Sequence, residues 1–186
     1  MPRFNFVNTS LSELIVVQRK TLEDHRGFLS RFYCIDEFAK AGISTTIAQI
    51  NHTLTREKGT VRGLHFQKTP HAEAKLVSCL KGEIWDIAVD LRSSSSTYLQ
   101  WHGEILSAEN RKSLLIPKGF AHGFQTLTAD CELIYLHSEK YHPELEGALN
   151  VSDPNLNISW PLPINELSER DASHPFIDQN FQGIIL

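Results

Sequence analysis

Alternation with a period of two dominates the middle of the chain. Over Glu83 to Leu91, Trp85, Ile87, Val89 and Leu91 alternate with Ile84, Asp86, Ala88 and Asp90, which predicts a strand with one plainly apolar face. Thr97 to Leu106 repeats the pattern, with Leu99, Trp101, Gly103 and Ile105 on one side and Tyr98, Gln100, His102 and Glu104 on the other. Cys131 to Ser138 does so again and groups Cys131, Leu133, Tyr135 and His137. From about Thr45 to Ser138, short β-branched and aromatic runs are punctuated by Gly, Pro, Asn and Ser, and Ser93 to Ser96 reads as a loop. Helical signals are confined to "IDEFAKAG", with Asp36 near its start and Gly42 as the terminator, and to a turn or two in "INELSERDASHPF". The expectation is a mainly β sandwich or barrel with small helices packed outside, one domain spanning residues 1–186.

Several polar residues sit where such strands should be filling a core. Residues two apart share a face, so Gln49 goes with Asn51, and Val61, Gly63, His65 and Gln67 go together, which separates Arg62 from His65. If both line one pocket, the strand needs a twist or bulge, and Gly63 is the residue that tolerates one. Lys75 shares a face with Val77 and Cys79, and "IPKGFAHGF" holds His122 between an alanine and a glycine after a Pro-Lys-Gly turn. Taken singly, a histidine is more often a hydrogen-bonded structural group, Tyr135 a half-buried wall residue and Lys75 a solvated one. Their joint occurrence on alternating strands suggests a barrel with a polar mouth and an apolar wall, holding one ligand.

Charge and cysteine content narrow the partners. With 18 basic and 22 acidic residues the net charge is −4, so there is no basic field for nucleic acid. Cys34, Cys79 and Cys131 are odd in number and contain no C-x-x-C pair, which argues for a reduced, cytoplasmic protein without a disulfide framework or thiolate zinc site. Neither a signal peptide nor an apolar run of membrane-spanning length is evident. A metal centre of the β-barrel type would draw on His65, Gln67, Glu73 and His122, and two imidazoles with an amide make a poor set for a transition metal.

The segments "DHRGF", "QINHT", "VRGLHFQ", "AKLVSCLKGEIWDIAVDLR", "LSAEN", "IPKGFAHGF", "YHPELEG", "DPNLNISWP" and "LSERD", in order over nearly the whole chain, resemble the dTDP-4-dehydrorhamnose 3,5-epimerase family. The resemblance implies a cupin, or jelly-roll, β-barrel homodimer that epimerises nucleotide sugars without metal or coenzyme. It implies His65 as general base with Asp171 as its orienting partner, Tyr135 as the acid on the other face and Lys75 as the group that stabilises an enolate. Arg62 and His122 would sit beside the sugar and diphosphate. Gln49, Asn51, Arg26, Phe28, Tyr141, Glu146 and Arg170 fall at ligand-lining positions, with Arg26 and Phe28 reaching in from the neighbouring subunit.

Three positions depart from the family's pattern. Arg31 stands where a glutamate usually ends the "RGxFxE" stretch and reads the base; a guanidinium there can donate to the bare ring nitrogen of cytosine, and it can equally point to solvent. CDP and dTDP sugars therefore both remain candidate substrates. Val151 replaces a common aromatic, and "AEAK" carries Glu73 for glutamine. Both changes would reshape the sugar pocket and lean towards inversion at carbon 3 alone, with carbons 3 and 5 the other outcome. A 3,4-ketoisomerase on the same substrates and a non-catalytic sugar-nucleotide binder are the rival readings.

Overall fold

The computed structural model describes residues 2–44 and 46–186. In chain order the strands are β1 (Phe4–Asn8), β2 (Ile15–Arg19), β3 (Thr21–Asp24), β4 (Gly27–Ser30), β5 (Gln49–Thr55), β6 (Val61–Gln67), β7 (Lys75–Lys81), β8 (Glu83–Asp90), β9 (Trp101–Ser107), β10 (Lys112–Ile116), β11 (Phe120–Thr126), β12 (Cys131–His137) and β13 (Glu146–Ala148). Helix α1 (Ile35–Lys40) follows β4, and α2 (Glu169–Ala172) lies near the C-terminus. One sheet has the order β1-β2-β10-β7-β12-β5, the second β13-β6-β11-β8-β9, and β3 and β4 form a separate hairpin. This is a jelly-roll arrangement of antiparallel strands.

Three apolar layers hold it together. Val77, Ile84, Ala88, Leu106, Leu114, Phe124 and Leu133 meet between the two sheets. Outside the six-stranded sheet, Phe38 of α1 covers Phe4, Val17, Leu76, Leu115 and Leu136. Outside the five-stranded sheet, Leu149, Val151, Leu156 and Ile184 from the C-terminal segment cover Ile87, Val89 and Leu91. The apolar face predicted for β8 is thus the outer one, and its supposedly polar face, with Ile84, Asp86 and Ala88, is buried in the middle. A strand covered on both sides cannot show which face is inner by hydrophobicity alone.

The helix at "IDEFAKAG" forms as expected, and Gly42, at φ +81°, ends it, its N–H donating to the Ala39 carbonyl and the Ile43 N–H to the Phe38 carbonyl. The second predicted strand starts late, at Trp101. Asp90 accepts hydrogen bonds from the Ser95 and Thr97 hydroxyls, and Leu99 takes φ +62°, so Thr97–Gln100 becomes a turn.

Gly63 makes the expected bulge. His65 pairs with His122 and Arg62 with Phe124, so Gly63 and Leu64 together face the single Gly123. Arg62 and His65 thereby come onto the same, inner face, while Leu64 and Phe66 turn to the outer layer. Gly63 has φ +136°, and a Cβ there would lie 2.6 Å from the Gly123 Cα. Gly63→Ala should therefore cost about 2 kcal/mol or more of stability and disturb the His65 side chain together with it, as read by urea denaturation and by ligand binding.

Candidate active site

Strand register assembles two facing walls of a cavity of about 260 Å³ at the open end of the sandwich. Residues paired across antiparallel strands point the same way. On the six-stranded sheet, Gln49, His137 and Lys75 form one row and Asn51, Tyr135 and Val77 the next. On the facing sheet, Arg62, Phe124 and Asp86 form a row, followed by His65, His122 and Ala88 and then by Gln67 and Glu146.

On the β6 wall, His65 Nε2 lies 2.8 Å from Asp171 Oδ1, and the Gly63 amide reaches Asp171 Oδ2 at 3.4 Å. Asp171 is delivered by α2, whose first turn is capped when the Ser168 hydroxyl accepts from the Asp171 amide. Burial works to raise the Asp171 carboxyl, but the hydrogen bond and charge of His65 and the Gly63 amide outweigh it and hold the group below the usual carboxylate range. The ionised carboxylate accepts Nε2–H and leaves Nδ1 as the ring nitrogen with a free lone pair.

Behind His122, Asp86 Oδ1 lies 2.8 Å from Nε2, with both side chains buried. Burial raises the Asp86 carboxyl and His122 offsets this only in part. Across the cavity, burial pushes the Tyr135 phenol well up, with the nearby Asp86 charge adding to the effect. The phenol is therefore protonated at neutral pH and able to donate. Lys75 Nζ lies 3.1 Å from Glu73 Oε1, whose other oxygen is 2.7 Å from His137 Nδ1. At the mouth Arg62 has no ion-pair partner among the described residues, which leaves one uncompensated cation facing the opening.

Of the residues expected from sequence, Asn51, Arg62, His65, Lys75, His122, Tyr135, Tyr141 and Glu146 line this cavity. Asp171, Gln49 and Arg170 stand one contact behind it, bonded to His65, to Tyr141 and to Glu146. Arg26 and Phe28 belong to the β3–β4 hairpin, which does not reach this chain's own cavity. Arg31 is also away from it, paired with Glu37 of α1 at 2.9 Å. Val151 is packed under Trp160 in the outer layer, so its size does not bear directly on the pocket. Gln67 gives its amide hydrogens to the carbonyls of His71 and Lys140 and its oxygen accepts from the His142 amide, so it knits two rim loops together and is not free as a metal ligand. Sequence reasoning passed over His137, whose alternation with Tyr135 was the available signal, and His174, whose ring lies 6.4 Å from that of His65.

Linkage gives a direct check on the His65–Asp171 contact. A carboxyl depressed in the folded state binds fewer protons than in the unfolded chain, so its stabilisation is present above the ordinary value of 3.8 and is lost as pH falls through the lower, folded value. Asp171→Asn should remove that increment, so that the stability difference between wild type and variant narrows as urea denaturation is carried from pH 6 down to pH 3.

Comparison with known proteins agrees with the geometry. The family model for dTDP-4-dehydrorhamnose 3,5-epimerase matches residues 8–179. The dTDP-4-dehydrorhamnose 3,5-epimerase of Salmonella typhimurium is 41% identical over 93% of this chain and 95% of its own length. The crystal structure of the Bacillus anthracis enzyme with TDP and PPi bound superposes with a TM-score of 0.91 at 37% identity, covering 94% of this chain and 99% of that one. That of the Legionella pneumophila dTDP-6-deoxy-D-glucose-3,5-epimerase, in complex with dTDP-4-keto-L-rhamnose, gives 0.91 at 39% identity, covering 98% of each. With this cavity, this jelly roll and these relatives, the chain belongs to the dTDP-4-dehydrorhamnose 3,5-epimerase family and is an isomerase of the nucleotide-sugar epimerase type.

Proposed function

We propose that the protein is a cofactor-independent epimerase of a nucleoside-diphosphate 4-keto-6-deoxyhexose, acting in deoxysugar synthesis in the reducing cytoplasm. The observation that carries this reading is the placement of an oriented imidazole, His65, and a protonated phenol, Tyr135, on opposite walls of one cavity. A ketone at carbon 4 acidifies the C–H bonds at carbons 3 and 5. The His65 lone pair takes such a proton, and the Lys75 ammonium meets charge that develops on the carbon-4 oxygen only as the enolate forms. Tyr135 returns a proton to the other face of the ring, which inverts the carbon. Arg62 at the mouth suits the diphosphate.

The β3–β4 hairpin fits a homodimer in which each hairpin, with Arg26 and Phe28, completes the neighbouring subunit's site; Leu22, Phe28 and Leu29 stand exposed on it at 47, 58 and 69%. The engagement of Arg31 with Glu37 leaves its guanidinium less free to read cytosine, so dTDP is the favoured nucleotide and CDP the alternative.

The deciding experiment is deuterium uptake from heavy water into dTDP- and CDP-4-keto-6-deoxyglucose, read by mass spectrometry and proton NMR. Label at carbon 3 alone identifies a 3-epimerase, label at carbons 3 and 5 the double epimerase, and no label with tight binding a non-catalytic binder. His65→Asn should slow exchange by about a hundredfold or more while the protein stays folded. Tyr135→Phe should suppress inversion more than exchange, and equal loss of both would remove Tyr135 from the role of acid.

A further inference from the structure

The cavity contains a second imidazole–carboxylate pair, Glu73 with His137, which the reaction above does not use. Its side chains are nearly as enclosed as the core, with Glu73 9% exposed and His137 and Lys75 each 12% exposed. It lies within an unbroken hydrogen-bonded chain whose direction can be read from both ends. At one end the Tyr141 amide can only donate, and it does so to Gln49 Oε1 at 3.1 Å. Gln49 Nε2 must then donate to Asn51 Oδ1 at 3.1 Å, so Asn51 Nδ2 is the atom 3.3 Å from His137 Nε2 and that nitrogen accepts. At the other end Glu73 is an ionised carboxylate, held below its usual range against the effect of burial by His137 and Lys75, and it can only accept. His137 Nδ1 therefore donates to it at 2.7 Å, and Lys75 donates at 3.1 Å. The two ends demand the same tautomer, so no bond in the chain is frustrated.

We propose that His137 and Glu73 are positioning residues that hold Asn51 and Lys75 as hydrogen-bond donors towards the cavity. Asn51 keeps its second N–H, and the Lys75 ammonium keeps two of its three hydrogens, for oxygen atoms of the ligand. Glu73 sets where the ammonium stands, and His137 couples that carboxylate to the amide of Asn51. This rests on the proposed epimerase reading and deepens it, since fixed donors at Asn51 and Lys75 are the counterpart of a substrate that brings a carbonyl oxygen and turns it into an enolate. The unlike duties of the two ends give the inference its signature. Lys75 acts on charge that appears only in the transition state, whereas Asn51 contacts bound ligand throughout.

Two substitutions cut the chain on opposite sides of the ring. In His137→Asn the side-chain NH2 can take the place of Nδ1 and keep the bond to Glu73, while the bond from Asn51 is lost. In His137→Gln the side-chain oxygen can take the place of Nε2 and keep the bond from Asn51, while Glu73 loses its imidazole. Steady-state kinetics and deuterium exchange on the intact protein should show a crossed pattern. His137→Asn is expected to raise KM about five- to tenfold with the smaller change in kcat, and His137→Gln to lower kcat by a similar factor with the smaller change in KM. Thermal denaturation run in parallel separates this from loss of folded protein. Two variants with wild-type kinetics, or two that move the same parameter together, would overturn the positioning role while leaving the epimerase reading intact. Wild type without exchange on any 4-keto sugar nucleotide would overturn both.

Discussion

The phase change at Gly63 is the constraint on which the site depends. A regular strand would send Arg62 and His65 to opposite sides, one into the cavity and the other into the apolar layer under the C-terminal segment. One extra residue lets the strand satisfy both layers: Val61, Leu64 and Phe66 fill the outer one, and Arg62 and His65 face inward. The same kink aims the Gly63 amide at Asp171, so the bulge that turns the imidazole also helps to hold the carboxylate that orients it. The close approach of Gly63 and Gly123 is the packing condition for this, because a side chain at either position would meet the opposite backbone.

Much of this was legible in the sequence because it rests on local rules. Period-two alternation located β8 and β12, a Gly in a strand beside mismatched polar residues located the bulge, and Gly42 marked the end of α1. What escaped depends on partners distant in the chain. The inner face of β8 was misread because the C-terminal segment, some 70 residues later, covers the other one. The start of β9 moved because Asp90 captures two hydroxyls across a turn, an interaction with no periodic trace. His137 was visible on the face of Tyr135, but its meaning lies in Glu73, which sits on the loop before β7 and is brought there by the pairing of β12 with β7. The hairpin residues Arg26 and Phe28 stand outside this chain's cavity, so their roles belong to the proposed assembly of subunits, and Arg31, just after the hairpin, is engaged with Glu37 instead.

The ionisable groups around the cavity are mostly hydrogen-bonded to one another in advance. His65 has Asp171, His122 has Asp86, and Lys75 and His137 share Glu73. Buried ions persist only when paired and hydrogen-bonded, so this pairing is what allows so many ionisable groups in a space continuous with the core. Pairing also divides the labour. On the β6 wall a carboxylate faces an imidazole, as the proposed proton removal requires, and on the β12 wall a carboxylate faces an ammonium, as the proposed placing of donors requires. Arg62 lines the same cavity without an ion-pair partner among the described residues, which suits the proposed diphosphate.

A sandwich whose central layer is interrupted by such a cavity gains from further apolar contacts, and here two outer layers add to those between the sheets. Phe38 of α1 seals the six-stranded sheet, and Leu156, Trp160 and Ile184 seal the other. The C-terminal segment that supplies the second seal also carries α2 and hence Asp171, 106 residues from the histidine it orients. Its docking is driven by apolar burial, which is indifferent to the chemistry, yet that burial fixes where the carboxylate stands. Packing of the outer layer and orientation of the His65 ring are thus coupled through one segment, which supplies both the apolar side chains and Asp171.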